Sequence, residues 1–193
     1  MTSKEAPTEA RPPSLHVPPV GASAAARHYL RDIVYGGIDG VITTFAVVAG
    51  VRGGELAAAV AIVIGVANLF ADGLSMAVGN FLSIRSNEGA RRASGLAEEE
   101  SEPSRHAAAT FAAFIGAGTV PMLPFLFDLS DARRFHASIV LTLATLFAAG
   151  LLRAYVTGES WRTSVAEMLG LGALVAAVAY YAGHLVARLG GLS

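Results

Sequence analysis

Four side chains in the stretch "ANLFADGLSMAVGN" stand four residues apart: Asn68, Asp72, Met76 and Asn80. Four residues turn a helix by about 400°, so on a helix they form one slowly drifting row. The row offers amide and carboxylate oxygens and one thioether sulfur. Upstream, "RDIVYGGIDGVITTFAVVAG" sets a further carboxylate, Asp39, among apolar residues. Oxygen ligands alone suit Mg, Ca or Mn, whereas a thioether shifts preference toward softer first-row ions such as Fe(II). Holding a divalent cation is therefore the chemistry these residues could do. Met76 has the weakest claim, because a methionine on an apolar helix more often packs than ligates.

The composition names the solvent around that row. Hydrophobic residues make up 53% of the 193-residue chain and charged residues 15%, against roughly 25% charged in a soluble domain. Mean hydropathy is +0.53. Charges cluster between long gaps, and the gaps have membrane dimensions. Residues 33–51 and 56–84 hold one charge each, Asp39 and Asp72; residues 107–127, 135–152 and 168–187 hold none. Crossing a ~30 Å hydrocarbon core takes about 20 helical residues, so the expectation is an all-α, polytopic protein of five transmembrane helices within residues 27–191. Residues 1–26, rich in Pro and Ala and lacking a signal-peptide core, read as a disordered cytoplasmic tail. Residues 85–105 read as a short, mixed-charge cytoplasmic loop.

Orientation follows from Lys and Arg. With the N-terminus inside, ten fall on the cytoplasmic side and four outside, which the positive-inside rule favours. A bacterial inner membrane is the expected location.

A charge inside a span costs ~2.5–3.5 kcal/mol even on the lenient insertion scale. Asp39 and Asp72 must face protein or a wet path, and no basic residue lies deep in any span to pair with them. The plainer alternative is a neutral carboxyl hydrogen-bonded between helices. Gly36 and Gly40 flank Asp39 at the spacing that lets another helix approach closely. Pro121 and Pro124 should kink or end the third span, and Glu167 stands at the cytoplasmic end of the fifth. Candidate metal ligands are thus Asp39, Asp72, Met76, Asn68, Asn80 and Glu88. Glu98, Glu99, Glu100, Glu102 and Glu167 rank lower, because a charge run usually just hydrates. His16, His28, His106 and His136 have no metal-ligand spacing and read as surface or interface residues.

Several functions are excluded or disfavoured. A net charge of -1 gives no basic field for nucleic acid. Without cysteine there is no disulfide, zinc–thiolate site or cysteine nucleophile. Ser75 and His184 could suggest a hydrolase, but no G-x-S-x-G turn accompanies them. The chain reads as no enzyme, with no cofactor.

Two motifs carry a resemblance. "RDIVYGGIDGVITTFAVVAG" and "ANLFADGLSMAVGNFLSIRSNE" resemble the first two helices of the vacuolar iron transporter (VIT) family. "GAGTVPMLPF" is similar to that family's third helix and "AEMLGLGALVAAVAYYAGHLV" to its fifth. The resemblance implies a homodimer of five-helix subunits that moves Fe2+ or Mn2+ out of the cytosol, commonly against protons, along a path at the dimer interface between the first and second helices. Asp39 matches the family's intramembrane aspartate and Met76 its pathway methionine. Asn68 departs, falling where plant vacuolar members have a glutamate; Asp72, one turn away, could supply that carboxylate. Eukaryotic relatives also carry a long metal-collecting domain where this chain has only "RSNEGARRASGLAEEESEPSRH". That segment is expected to be a solvated loop. A dimer would gather two Asp39, two Asp72 and two Met76 around one axis. Protons compete with metal for carboxylates, which gives antiport a simple physical route. A passive cation channel and a transport-inactive structural membrane protein remain the alternatives.

Overall fold

The computed structural model describes residues 14–15 and 19–190. It is all helical: α1 (Ala22–His28), α2 (Leu30–Gly53), α3 (Ala58–Ala93), α4 (Pro103–Thr119), a 3-10 segment (Val120–Leu126), α5 (Asp131–Thr157) and α6 (Trp161–Leu189). Among the described residues five helical stretches, α4 with its 3-10 extension counting as one, are long and apolar enough to cross a membrane. Each outruns its expected span at one or both ends, because charged residues at an interface continue a helix as readily as apolar ones.

The largest difference is in α3. Its 36 residues make a rod of about 54 Å at 1.5 Å per residue, well beyond a ~30 Å core. Helix thus runs through Arg85–Ala93, where a loop is expected from the sequence, and only residues 94–102 connect α3 to α4. Most of the expected tail lies outside the described residues. Where described, it has structure: Ala22–His28 is helical, and the Leu15 amide donates to the Glu98 carbonyl at 2.7 Å.

Helix α2 is the centre of the bundle and touches α3, α4, α5 and α6. Glycine makes its close contact with α4 possible. A Cβ on Gly36 would sit 2.6 Å from the Thr110 carbonyl oxygen, and one on Gly40 would collide with the Phe114 carbonyl. The Gly36–Gly40 face therefore seats α4 within the same subunit, backbone against backbone, where packing rather than hydrophobic transfer drives association. Leu69 of α3, Phe114 of α4 and Met122 form one buried cluster, with Met76 packed against it. Val41, Leu146 and Met168 form another.

Helix boundaries follow local chemistry. Pro103 starts α4 at its first turn, where a missing N–H costs nothing. Pro121 and Pro124 end its α-helical part, as expected, and the freed carbonyl of Pro121 accepts a hydrogen bond from Ser138 Oγ at 2.7 Å. Gly158 closes α5 in the left-handed conformation, φ 71°, a position that favours glycine.

Candidate functional site

Two polar regions lie along α2 and α3. The first is at the end of the bundle where α2 and α4 begin and α3 ends. Asp32, in the first turn of α2, is buried. Its Oδ1 accepts a hydrogen bond from Asn80 Nδ2 at 2.8 Å, and its Oδ2 lies 2.6 Å from His106 Nδ1. Asn80 also donates to Thr110 Oγ1 at 2.9 Å, and Thr110 donates to the His106 carbonyl at 3.0 Å. His106 Nε2 meets Glu100 Oε2 at 3.0 Å, and His28 Nε2 meets the same oxygen at 3.2 Å. One network thus ties α1, α2, α3, α4 and the 94–102 connection together. Buried polar groups persist when each finds a partner, and here they do.

The connection itself is folded onto α3. Glu88 is buried, and its carboxylate accepts the backbone amides of Glu99 and Glu100 at 3.0–3.3 Å. Arg91 holds the other side, pairing with Glu99 at 3.0 Å and donating to the Ala97 carbonyl at 3.1 Å. The expected solvated loop is therefore a docked one. Glu88 has bound its oxygens to the chain itself. Glu102 pairs with exposed Arg105 at 3.0 Å, and the Glu98 carbonyl anchors Leu15.

The second region lies deeper. Asn68, Asp72, Met76 and Asn80 are all half-buried on α3, as the row requires, and Asp39 is half-buried on α2. Asp39 and Asp72 lie within electrostatic range of each other. Among the described residues no side chain donates a hydrogen bond to either carboxylate; Thr43 donates only to the Asp39 backbone carbonyl, at 2.7 Å. Asn80 ends the row by joining it to the network above, its amide N–H groups spent on Asp32 and Thr110. Glu167 stands apart, paired with Arg153 at 2.6 Å on the far side of α2.

Three cavities lie along these regions. One of about 530 Å3 is lined by His28, Asp32, Ser83, Glu88, Glu100 and His106. A second, of about 450 Å3, shares Asp32 and Ser83 and reaches Asn80 and Met76. Asp39 lines another, of about 520 Å3, on the side of α2 that faces Arg153 and Met168.

Sequence reasoning missed Asp32, Thr110, His28 and His106. Asp32 follows Arg31 at the start of the first span, yet Arg31 is exposed and Asp32 is 3% exposed. His106 reads as a surface or interface residue and is buried. The signal for Asp32 and His106 was position, a polar residue in the first turn of each of two spans, but pairing across 74 residues is invisible in local spacing. His136 is exposed, as expected, and His16 lies outside the described residues.

Comparison with known proteins adds identity to this geometry. The family model described as VIT family matches residues 30–100 and 87–184. "Vacuolar iron transporter homolog 1" of Oryza sativa subsp. japonica is 30% identical, with 83% of this chain and 75% of that protein aligned. "Vacuolar iron transporter 1" of Arabidopsis thaliana is 24% identical over 80% of this chain and 85% of that protein. "Vacuolar iron transporter" of Toxoplasma gondii is 42% identical, but over 28% of this chain and 18% of that protein. The family match runs from the start of α2 into α6 and takes in the deeper region and all of the mouth network except His28 of α1, and on that extent the chain belongs to the VIT family.

Proposed function

We propose that the protein carries Fe2+ or Mn2+ out of the cytosol in exchange for protons, as a homodimer with its N-terminus cytosolic. The observation that carries this reading is the pair Asp39 and Asp72. Two carboxylates within electrostatic range of each other occupy apolar spans without a basic partner or a hydrogen-bond donor side chain among the described residues. Such charges persist in a membrane when they serve a path, and a divalent cation supplies the missing counter-charge. Met76, one turn from Asp72 and lining the adjoining cavity, adds a thioether that favours a softer ion. Relatives named as iron transporters support the same class of cargo. Protons compete for the same oxygens, which is how exchange would be coupled.

The homodimer draws support from α3. Ala67, Ala71, Ser75 and Gly79 form an exposed stripe of small residues immediately beside the polar row. A second α3 could approach closely there, bringing two sets of Asp72 and Met76 together at the axis.

Reconstituted protein in liposomes with an imposed pH gradient tests the reading, using Fe(II), Mn(II), Co(II), Zn(II) and Ca(II) in turn. Saturable transition-metal flux coupled to proton counterflow is expected. Metal-dependent current without saturation or proton coupling would make the protein a passive channel. No flux for any ion would leave it a structural membrane protein.

A further inference from the structure

We propose that His28, His106 and Glu100 form a transition-metal site at the mouth of the cavity, distinct from the intramembrane aspartates. Its part in transport rests on the reading above; its capacity to bind metal does not. The three ligand atoms converge: His28 Nε2 and His106 Nε2 lie 3.2 and 3.0 Å from one Glu100 oxygen, and all three lie within 4.8 Å of one another. Ligands held about 2.1 Å from a tetrahedral ion stand roughly 3.4 Å apart, so little movement would seat one.

Each ligand is braced from behind. The Asp32 carboxylate at Nδ1 orients the His106 ring and turns Nε2 toward the cluster, the carboxylate–histidine arrangement that recurs behind metal ligands. Asn80 holds Asp32 in turn. The Tyr29 ring packs edge-on against both imidazoles, with centroids 4.8 Å from each. Glu100 is aimed by its own amide donating to Glu88 and by its Oε1 accepting the Glu102 amide at 2.9 Å. Glu88 thus shapes the site without ligating it.

The donor set names the ion class. Two imidazoles and one carboxylate suit Fe(II), Co(II) or Zn(II) and disfavour Mg(II) and Ca(II), which take oxygen. Three protein ligands leave positions open, as in sites where an ion meets a further partner. The mouth cavity shares Asp32 and Ser83 with the neighbouring cavity that Met76 lines. A transition ion would therefore be chosen here, by nitrogen ligands, before it meets Met76 and the α3 row.

Co(II) absorption titration of the full-length protein in detergent tests this, in an Asp39→Asn/Asp72→Asn background that removes the deep carboxylates. The background protein is expected to bind Co(II) with a visible ligand-field band that Zn(II) displaces and Ca(II) does not. His28→Ala and Glu100→Gln, both at partly exposed positions, should each weaken binding on the order of tenfold or more. His106 is left in place because its ring holds the fold. Unchanged Co(II) affinity in both variants, or displacement by Ca(II) as readily as by Zn(II), would overturn the proposal. With the aspartates intact, His28→Ala should raise the Fe(II) concentration for half-maximal uptake and leave the maximal rate in place. His28-dependent Co(II) binding by a protein that transports nothing would sink the transport reading alone. Metal transport without His28-dependent binding would sink the mouth site alone.

Discussion

The two polar regions of this bundle have similar residue types and opposite bonding. At the mouth, Asp32 has Asn80 and His106, and Glu88 has two backbone amides. One helical stretch deeper, Asp39 and Asp72 have no donor side chain among the described residues. A buried carboxylate with its hydrogen bonds made belongs to the architecture, and removing it strands its partners. A carboxylate left without partners in an apolar span adds nothing to the fold and must be kept for what it can bind. The distinction lies in bonding rather than in residue type or depth, and each half of it can be broken separately.

The largest effect is expected at Asp39. Asp39→Asn keeps size and removes the anionic ligand, so proteoliposome uptake should vanish while the variant still elutes and melts like the parent. Asp72→Asn should be similarly severe if Asp72 stands in for a carboxylate at position 68. Adding Asn68→Glu should then restore part of the rate, because both positions share one helical row.

Next comes the mouth, where the effect moves from rate to stability. Asp32→Ala strands the Asn80 amide and the His106 ring, each buried group costing about 1–3 kcal/mol. Thermal unfolding in detergent should begin well below the parent. A wild-type unfolding curve would show that the network contributes nothing.

Met76 sits on the border between the two regions, since it lines the cavity and also packs against the Leu69, Phe114 and Met122 cluster. Met76→Leu nearly conserves volume, so stability should change by less than ~1.5 kcal/mol. Paired-ion competition should nevertheless show Fe(II) uptake falling more than Mn(II) uptake, because the harder ion depends less on sulfur. An unchanged ratio assigns Met76 to packing.

The smallest effect belongs to the remaining acidic residues of the connection. Replacing Glu98, Glu99 and Glu102 by glutamine should shift apparent metal affinity modestly, and the shift should fade as ionic strength rises. Complete loss of uptake would mean that these side chains bind the ion themselves.

What the sequence made legible follows the same division. Five spans could be read because ~20-residue apolar runs are a one-dimensional signal. The row on α3 could be read because helical periodicity converts spacing into a face. Helix ends could not: Arg85–Ala93 is polar enough to look like loop, yet it continues α3 with Glu88 turned inward. Gly36 and Gly40 promised a close neighbour without saying which, and the neighbour is α4. The mouth cluster escaped because its members come from α1, α2, α3, α4 and the 94–102 connection, and no local pattern records a contact between Asp32 and His106. Asp39 and Asp72, by contrast, were conspicuous because nothing near them in the sequence could neutralise them.

The most direct test measures unfolding midpoint and Fe(II) uptake on the same preparations of wild type, Asp39→Asn and Asp32→Asn. The predicted result is a crossed pattern: Asp39→Asn unfolds like the parent and transports nothing, while Asp32→Asn unfolds earlier and, at saturating Fe(II), still transports in proportion to the folded protein. Asp39→Asn transporting at about half the parental rate or more, or losing stability as Asp32→Asn does, would contradict the account.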